Sequence, residues 1–215
     1  MDLHHGLLGR AAPPSLDGAP ASFGAAGSAS IADAAMRGDR ADVLALIKQG
    51  TDVNTPQGDG VTALHWAARR GDAELVTALV AAGANPRATT QFGSYTPLHL
   101  AAERGSVTIT KALVAAGAPV DARTNTGATP LMLAAAAGDI GVLTTLLDKG
   151  AAVNAQESDR LQTPLIFAAA MGRLEAVKLL LARGADPKAQ NDAGKSAIGL
   201  AADRANVEML KLLKG

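Results

Sequence analysis

Thr96-Pro-Leu-His-Leu-Ala-Ala102 has four echoes in the chain. They are Thr62-Ala-Leu-His-Trp-Ala-Ala68, Thr129-Pro-Leu-Met-Leu-Ala-Ala135, Thr163-Pro-Leu-Ile-Phe-Ala-Ala169 and Ser196-Ala-Ile-Gly-Leu-Ala-Ala202. Successive starts lie 34, 33, 34 and 33 residues apart. Self-similarity at such a period is the signature of a stacked-repeat solenoid. One helical unit of this size leaves an apolar face uncovered, so neighbours must stack to make a core.

Each unit opens on a Thr or Ser whose hydroxyl suits a helix N-cap. Pro97, Pro130 and Pro164 follow at the first helical position, where a missing N–H costs nothing. The first helix is expected to end near Gly71, Gly105, Gly138 and Gly172, because glycine closes a helix in the left-handed conformation without strain. Asp72, Ser106 and Asp139 suit the start of a second helix; Arg173 in that slot predicts a weaker or different cap. The second helices read as amphipathic, with Leu75, Val76, Leu79 and Val80 as one example. A turn-rich connection with Gly60, Gly93, Gly127 or Gly194 near its tip then leads to the next unit, and it reads as a projecting β-hairpin finger.

The opening unit is degenerate. Aligning Gly38 with Gly71 sets Asp33 over Trp66, an acid where inner units carry a large apolar group, as expected if that face meets water. The last unit replaces His with Gly199 and the interhelix glycine with Ala205. Residues 1–28, rich in Pro, Gly and Ala, have a poor composition for a packed core and are expected to form a flexible tail. A cleaved leader is the alternative, which would move the expected location from the cytoplasm to the periplasm or outside.

Composition narrows the function. Lys+Arg and Asp+Glu are equal at 20 each, which argues against a general polyanion binder, so no nucleic-acid partner is expected. There is no Cys, which excludes disulfides and thiolate chemistry. No apolar run approaches the roughly 20 residues needed to span a bilayer. Aromatic residues are 2% of the chain, so the core must be made of Ala, Leu, Val and Ile in thin layers. Gly58-Asp-Gly60 lacks the strand-then-helix setting of a phosphate cradle and reads as a finger turn. No Ser or Thr pairs recognisably with a positioned His and acid. Catalytic, cofactor and metal residues are therefore expected to be absent.

The five phrases in register resemble the ankyrin repeat family. The resemblance spans about residues 29–215, in about six units including degenerate caps: 29–61, 62–95, 96–128, 129–162, 163–195 and 196–215. It implies an all-α repeat solenoid of antiparallel helix pairs with hairpin fingers and a gently curved stack. It also implies a non-catalytic protein-binding role for finger tips and the concave first-helix face, in a chain that is a monomer on its own. The partner protein is unidentified; an exported protein or an enzyme-regulating inhibitor is the alternative role. The uneven wording of the units suits a natural bacterial protein better than a consensus design. Only His65 and His99 keep the family's histidine, which the resemblance makes a structural tie to a neighbouring finger. Met132, Ile166 and Gly199 stand in its place elsewhere.

Carrying over the family's contact positions selects Asp59, Val61, Phe92, Tyr95, Asn125, Thr126, Arg160 and Gln162 on the fingers. At the first-helix ends it selects Arg37, Arg69, Arg70, Glu103, Arg104 and Met171. Phe92 and Tyr95 are the expected anchors, since interface energy concentrates in aromatic and Arg side chains. The competing reading has one of these rings packed over the adjacent finger. Trp66 and Phe167 occupy the buried Leu slot of the repeat.

Overall fold

The computed structural model describes residues 30–214. They form helices α1 (Ile31–Arg37), α2 (Arg40–Lys48), α3 (Ala63–Arg70), α4 (Ala73–Ala81), α5 (Pro97–Arg104) and α6 (Val107–Ala115). The series continues with α7 (Pro130–Ala137), α8 (Ile140–Asp148), α9 (Pro164–Ala170), α10 (Leu174–Ala182), α11 (Ala197–Asp203) and α12 (Val207–Lys214). The tail expected over 1–28 lies outside the described residues.

The helices form two rows. The odd-numbered helices pack in series, the even-numbered ones pack in series, and each odd helix also packs on the even helix that follows it. Every substantial helix contact is within a pair or between adjacent pairs. The core follows this line: Leu64, Leu98, Leu131 and Leu165 are buried along the first row, and Leu75, Ile109, Val142 and Ala176 along the second. Trp66 and Phe167 are buried, as expected. The structure is thus an all-α repeat stack held by nearest-neighbour burial.

Local chemistry sets the helix ends. Thr96 is in extended conformation and its hydroxyl accepts from the amide of His99 at 3.4 Å, with Pro97 directly after it. Gly71 closes α3 at φ 78, the left-handed region where a side chain would be strained. Asp72 and Asp139 accept from the amides of Leu75 and Val142 at 3.0 and 2.8 Å, capping α4 and α8. Arg173 makes no such cap; its Nε donates back to the Ala136 carbonyl at 3.0 Å, at the end of α7.

Asp33 has a different role from the one its alignment suggested. Helix α1 has 7 residues and α3 has 8, so Asp33 holds the third helical position, which His65 holds in α3. Its carboxylate accepts from the Ser30 amide at 3.2 Å, while the Ser30 hydroxyl accepts from the Asp33 amide at 3.1 Å. This is a capping box. The second carboxylate oxygen accepts from Gln57 Nε2 at 2.6 Å, and Gln57 Oε1 accepts from Trp66 Nε1 at 2.8 Å. The half-buried acid therefore ties the first helix to the first finger.

The connections are tighter than the hairpins expected. Each closes on one amide-to-carbonyl bond: Gln57 to Val61, Thr90 to Tyr95, Thr124 to Ala128, Glu157 to Gln162 and Asn191 to Lys195, at 2.9 to 3.1 Å. So few residues lie between the closing partners that no ladder forms, and the described residues contain only one isolated antiparallel bridge, Gln190 to Ser196. From cap residue to closing amide is 28 positions in every inner unit: 62 to 90, 96 to 124, 129 to 157 and 163 to 191. The alternation of 34 and 33 arises in the fingers. Those at 90–95 and 157–162 close over five positions, the other three over four.

Candidate functional site: finger tips and first-helix ends

Successive fingers are stitched together by backbone. The amides of Gln91, Asn125, Ser158 and Asp192 donate to the carbonyls of Asp59, Gly93, Thr126 and Arg160, at 2.8, 3.0, 2.7 and 2.9 Å. The histidines add a second stitch. His65 Nδ1 accepts from the Thr62 amide at 3.2 Å, and Nε2 donates to the Tyr95 carbonyl in the next finger at 3.0 Å. His99 repeats this with Thr96 at 3.1 Å and the Ala128 carbonyl at 3.2 Å. Burial pushes both imidazoles down from 6.5 to about 4, so they are neutral and carry their proton on Nε2. Both ring nitrogens of each histidine are engaged in these ties. No three His, Asp or Glu side chains converge on a common point among the described residues.

Of the expected contact residues, Arg37, Arg70, Phe92, Glu103, Arg104 and Asn125 are exposed, and Asp59, Arg69, Thr126, Arg160 and Met171 are half-buried. Val61, Tyr95 and Gln162 are buried. Each of those three directly precedes a helix cap, where the returning strand of the finger turns under its tip. Tyr95 is 6% exposed and meets the His99 ring edge-on, centroids 5.7 Å apart. Burial pushes its phenol up to about 12. The expectation that Tyr95 is an exposed anchor is therefore corrected. Of the two rings, Tyr95 is the one covered, and Phe92, at 63% exposure, is the one presented.

The arginines at the helix ends have partial structural duties. Arg70 Nη1 donates to the Met36 carbonyl at 3.2 Å, at the end of α1. Arg104 lies over Gly71, where a Cβ would come within 2.6 Å of its Nε. Both guanidiniums rest on the carboxyl end of the preceding first helix, the negative end of its dipole. Arg37 is 3.8 Å from Asp42.

One residue of this surface was absent from the expected set. Leu161 is 45% exposed at the tip of the fourth finger, with φ 55. Its signal was present in the sequence: Arg160-Leu161 stands where the other fingers carry glycine, inside one of the 34-residue intervals. Away from the fingers, a cleft of about 580 Å³ opens between α6 and α8 beside Gly141, lined by Val107, Val114 and Ile140 together with Lys111, Asp148 and Lys149 among others.

Helix pairs stacked in register, with fingers stitched along one margin, define a repeat solenoid. Family models agree. Ankyrin repeats (3 copies) match residues 31–124 and 70–157, and ankyrin repeats (many copies) match residues 134–181 and 165–213. The chain belongs to the ankyrin repeat family. No curated protein matches it. Ankyrin repeats are generally protein–protein interaction modules and are typically non-catalytic. No helix among the described residues is long and apolar enough to cross a membrane.

Proposed function

We propose that this chain is a non-catalytic interaction module of six units, degenerate at both ends, that binds a partner protein across its finger tips and the concave first-helix face. The observation that carries the reading is Phe92. A large aromatic side chain stands 63% exposed on a loop whose backbone is stitched to its neighbours on both sides. Aromatic and Arg side chains supply most interface hot spots, and a preordered loop loses little freedom on binding. Arg69 and Arg104 extend the surface at the far ends of α3 and α5.

The test is a paired Phe92→Ala and Arg104→Glu variant. Phe92 fills no core, and Arg104→Glu gives up only the contact with the carboxyl end of α3, so the variant should stay folded with a thermal midpoint lowered by no more than a few degrees. Quantitative affinity capture from the native host should lose the wild-type partner set. Undiminished capture by the folded variant would contradict this surface.

A further inference from the structure

The two long fingers share a feature that the other three lack. Each holds one large apolar side chain in solvent, Phe92 in one and Leu161 in the other. Both loops are braced from within. The Thr90 hydroxyl donates to the Phe92 carbonyl at 2.8 Å and accepts from the Tyr95 amide at 3.1 Å. The Tyr95 ring lies against Gly93, where a Cβ would come within 2.7 Å of it. In the fourth finger the buried Glu157 carboxylate accepts from the amides of Asp159 and Arg160 at 2.8 Å and of Gln162 at 3.1 Å. Leu161 stays in the left-handed region, where glycine would be relaxed. An exposed, strained leucine on a loop tied down by a buried carboxylate serves neither the core nor the turn.

Geometry sets the reach between these side chains. Adjacent first helices pack roughly 8–10 Å apart, so two steps along the stack separate the fingers of Phe92 and Leu161 by roughly 16–20 Å. At about 1.5 Å per residue, that distance is about 11 to 14 residues of α-helix, three or four turns, which bring a side chain back to nearly the same face. Across the stack, the fingers enter the first helices and Arg69, Arg70 and Arg104 end two of them. A helix of about 8 residues is about 12 Å long, close to the width of one α-helix with its side chains.

We infer that the occupant is an amphipathic, acidic α-helix of the partner protein, laid along the stack. Apolar residues three or four turns apart meet Phe92 and Leu161. Carboxylates at its Phe92 end face Arg104 and, one unit further along, Arg69 and Arg70; these three cations outnumber the exposed Glu103 among them, so the net charge favours an acidic partner over a basic one. This rests on the protein-binding reading and names the partner's chemistry.

A display library of helical peptides of about three heptads, randomised over one face and both flanks, tests it on the full chain. Enriched sequences are measured by fluorescence anisotropy against wild type, Phe92→Ala, Leu161→Gly and Arg69→Glu with Arg104→Glu. The expected pool carries apolar residues three or four turns apart, about 11 or 14 positions, and Glu or Asp on one flank. Leu161→Gly should keep or raise the melting temperature while weakening these peptides by about tenfold, the scale of a moderate hot spot. An empty pool, a pool without that spacing, a basic pool, or unchanged affinity for Leu161→Gly overturns the inference. Enriched ligands that are not helical, yet are lost on Arg104→Glu, overturn the helix and leave the protein-binding surface standing. The capture experiment above decides that reading by itself.

Discussion

Thr110 shows how one atom can work against an otherwise apolar stack. It is fully buried in α6, at the position held by Val76 in α4, Leu143 in α8 and Val177 in α10. Its hydroxyl has no hydrogen-bond partner. Removing an unsatisfied buried hydroxyl by an isosteric apolar replacement should stabilise the fold, so Thr110→Val is expected to raise unfolding free energy by about 1 kcal/mol. A denaturant midpoint at or below that of the wild type would contradict the assignment. The histidines set the pH response. Folding lowers both pKa values from 6.5 to about 4, so the unfolded chain binds more protons between those values. Their contribution is fully present above pH 6.5 and is lost as pH falls toward 4. Each shift corresponds to roughly 3 kcal/mol at its limit. Asp33, held below the usual carboxylate range chiefly by the Gln57 amide, adds a further loss at lower pH. Urea midpoints should be level from pH 8 to 7 and fall steadily below 6.5; a flat profile down to pH 4 would exclude the buried neutral rings.

At the scale of the element, the first turns of α1, α3 and α5 tie themselves to the next finger through Asp33, His65 and His99, and from α7 onward no such side chain is present. Met132 occupies the histidine position of α7, and Thr129 offers its amide to the sulfur at 3.4 Å while its hydroxyl has no partner. Met132→His should restore the stitch to the Gln162 carbonyl, raise stability by about 1 kcal/mol and steepen the acid limb. Calorimetry showing a lower midpoint at pH 7.5 would refute this. The helices and their caps were legible because Thr-Pro at one end and Gly at the other are local signals with local causes. The fingers were less so. Glycines near their tips announced turns, but a hairpin and a tight loop need the same residues, and only the number of positions between closing partners separates them. The 34 and 33 alternation held that information. It became readable as long and short fingers only when the closing bonds were known. Asp33 was misplaced for a similar reason: α1 and α3 differ by one residue, and aligning their closing glycines shifted every earlier position.

For the whole molecule, the stack and its general role were legible because the repeat period is a global constraint that single substitutions do not erase. The binding surface was only partly legible. Phe92 and Tyr95 lie three positions apart on one finger and look alike in composition, yet the position before the helix cap is buried in long and short fingers alike, at Val61, Tyr95, Ala128 and Gln162, so Tyr95 is covered and Phe92 presented. Family contact positions could not separate them, nor mark Leu161, because exposure depends on loop closure rather than residue type. Along the stack, α7 meets α5, α8 and α9 and no helix beyond them in any substantial contact. Cooperativity must pass through that layer, and Leu131, fully buried in α7, lies within it. The most direct test is native-state hydrogen exchange combined with urea unfolding of Leu131→Glu. A linear stack predicts that wild type unfolds as one unit, while the variant shows two transitions, with amides before and after α7 losing protection separately. A single transition with uniform loss of protection from α1 to α12 would contradict the nearest-neighbour account.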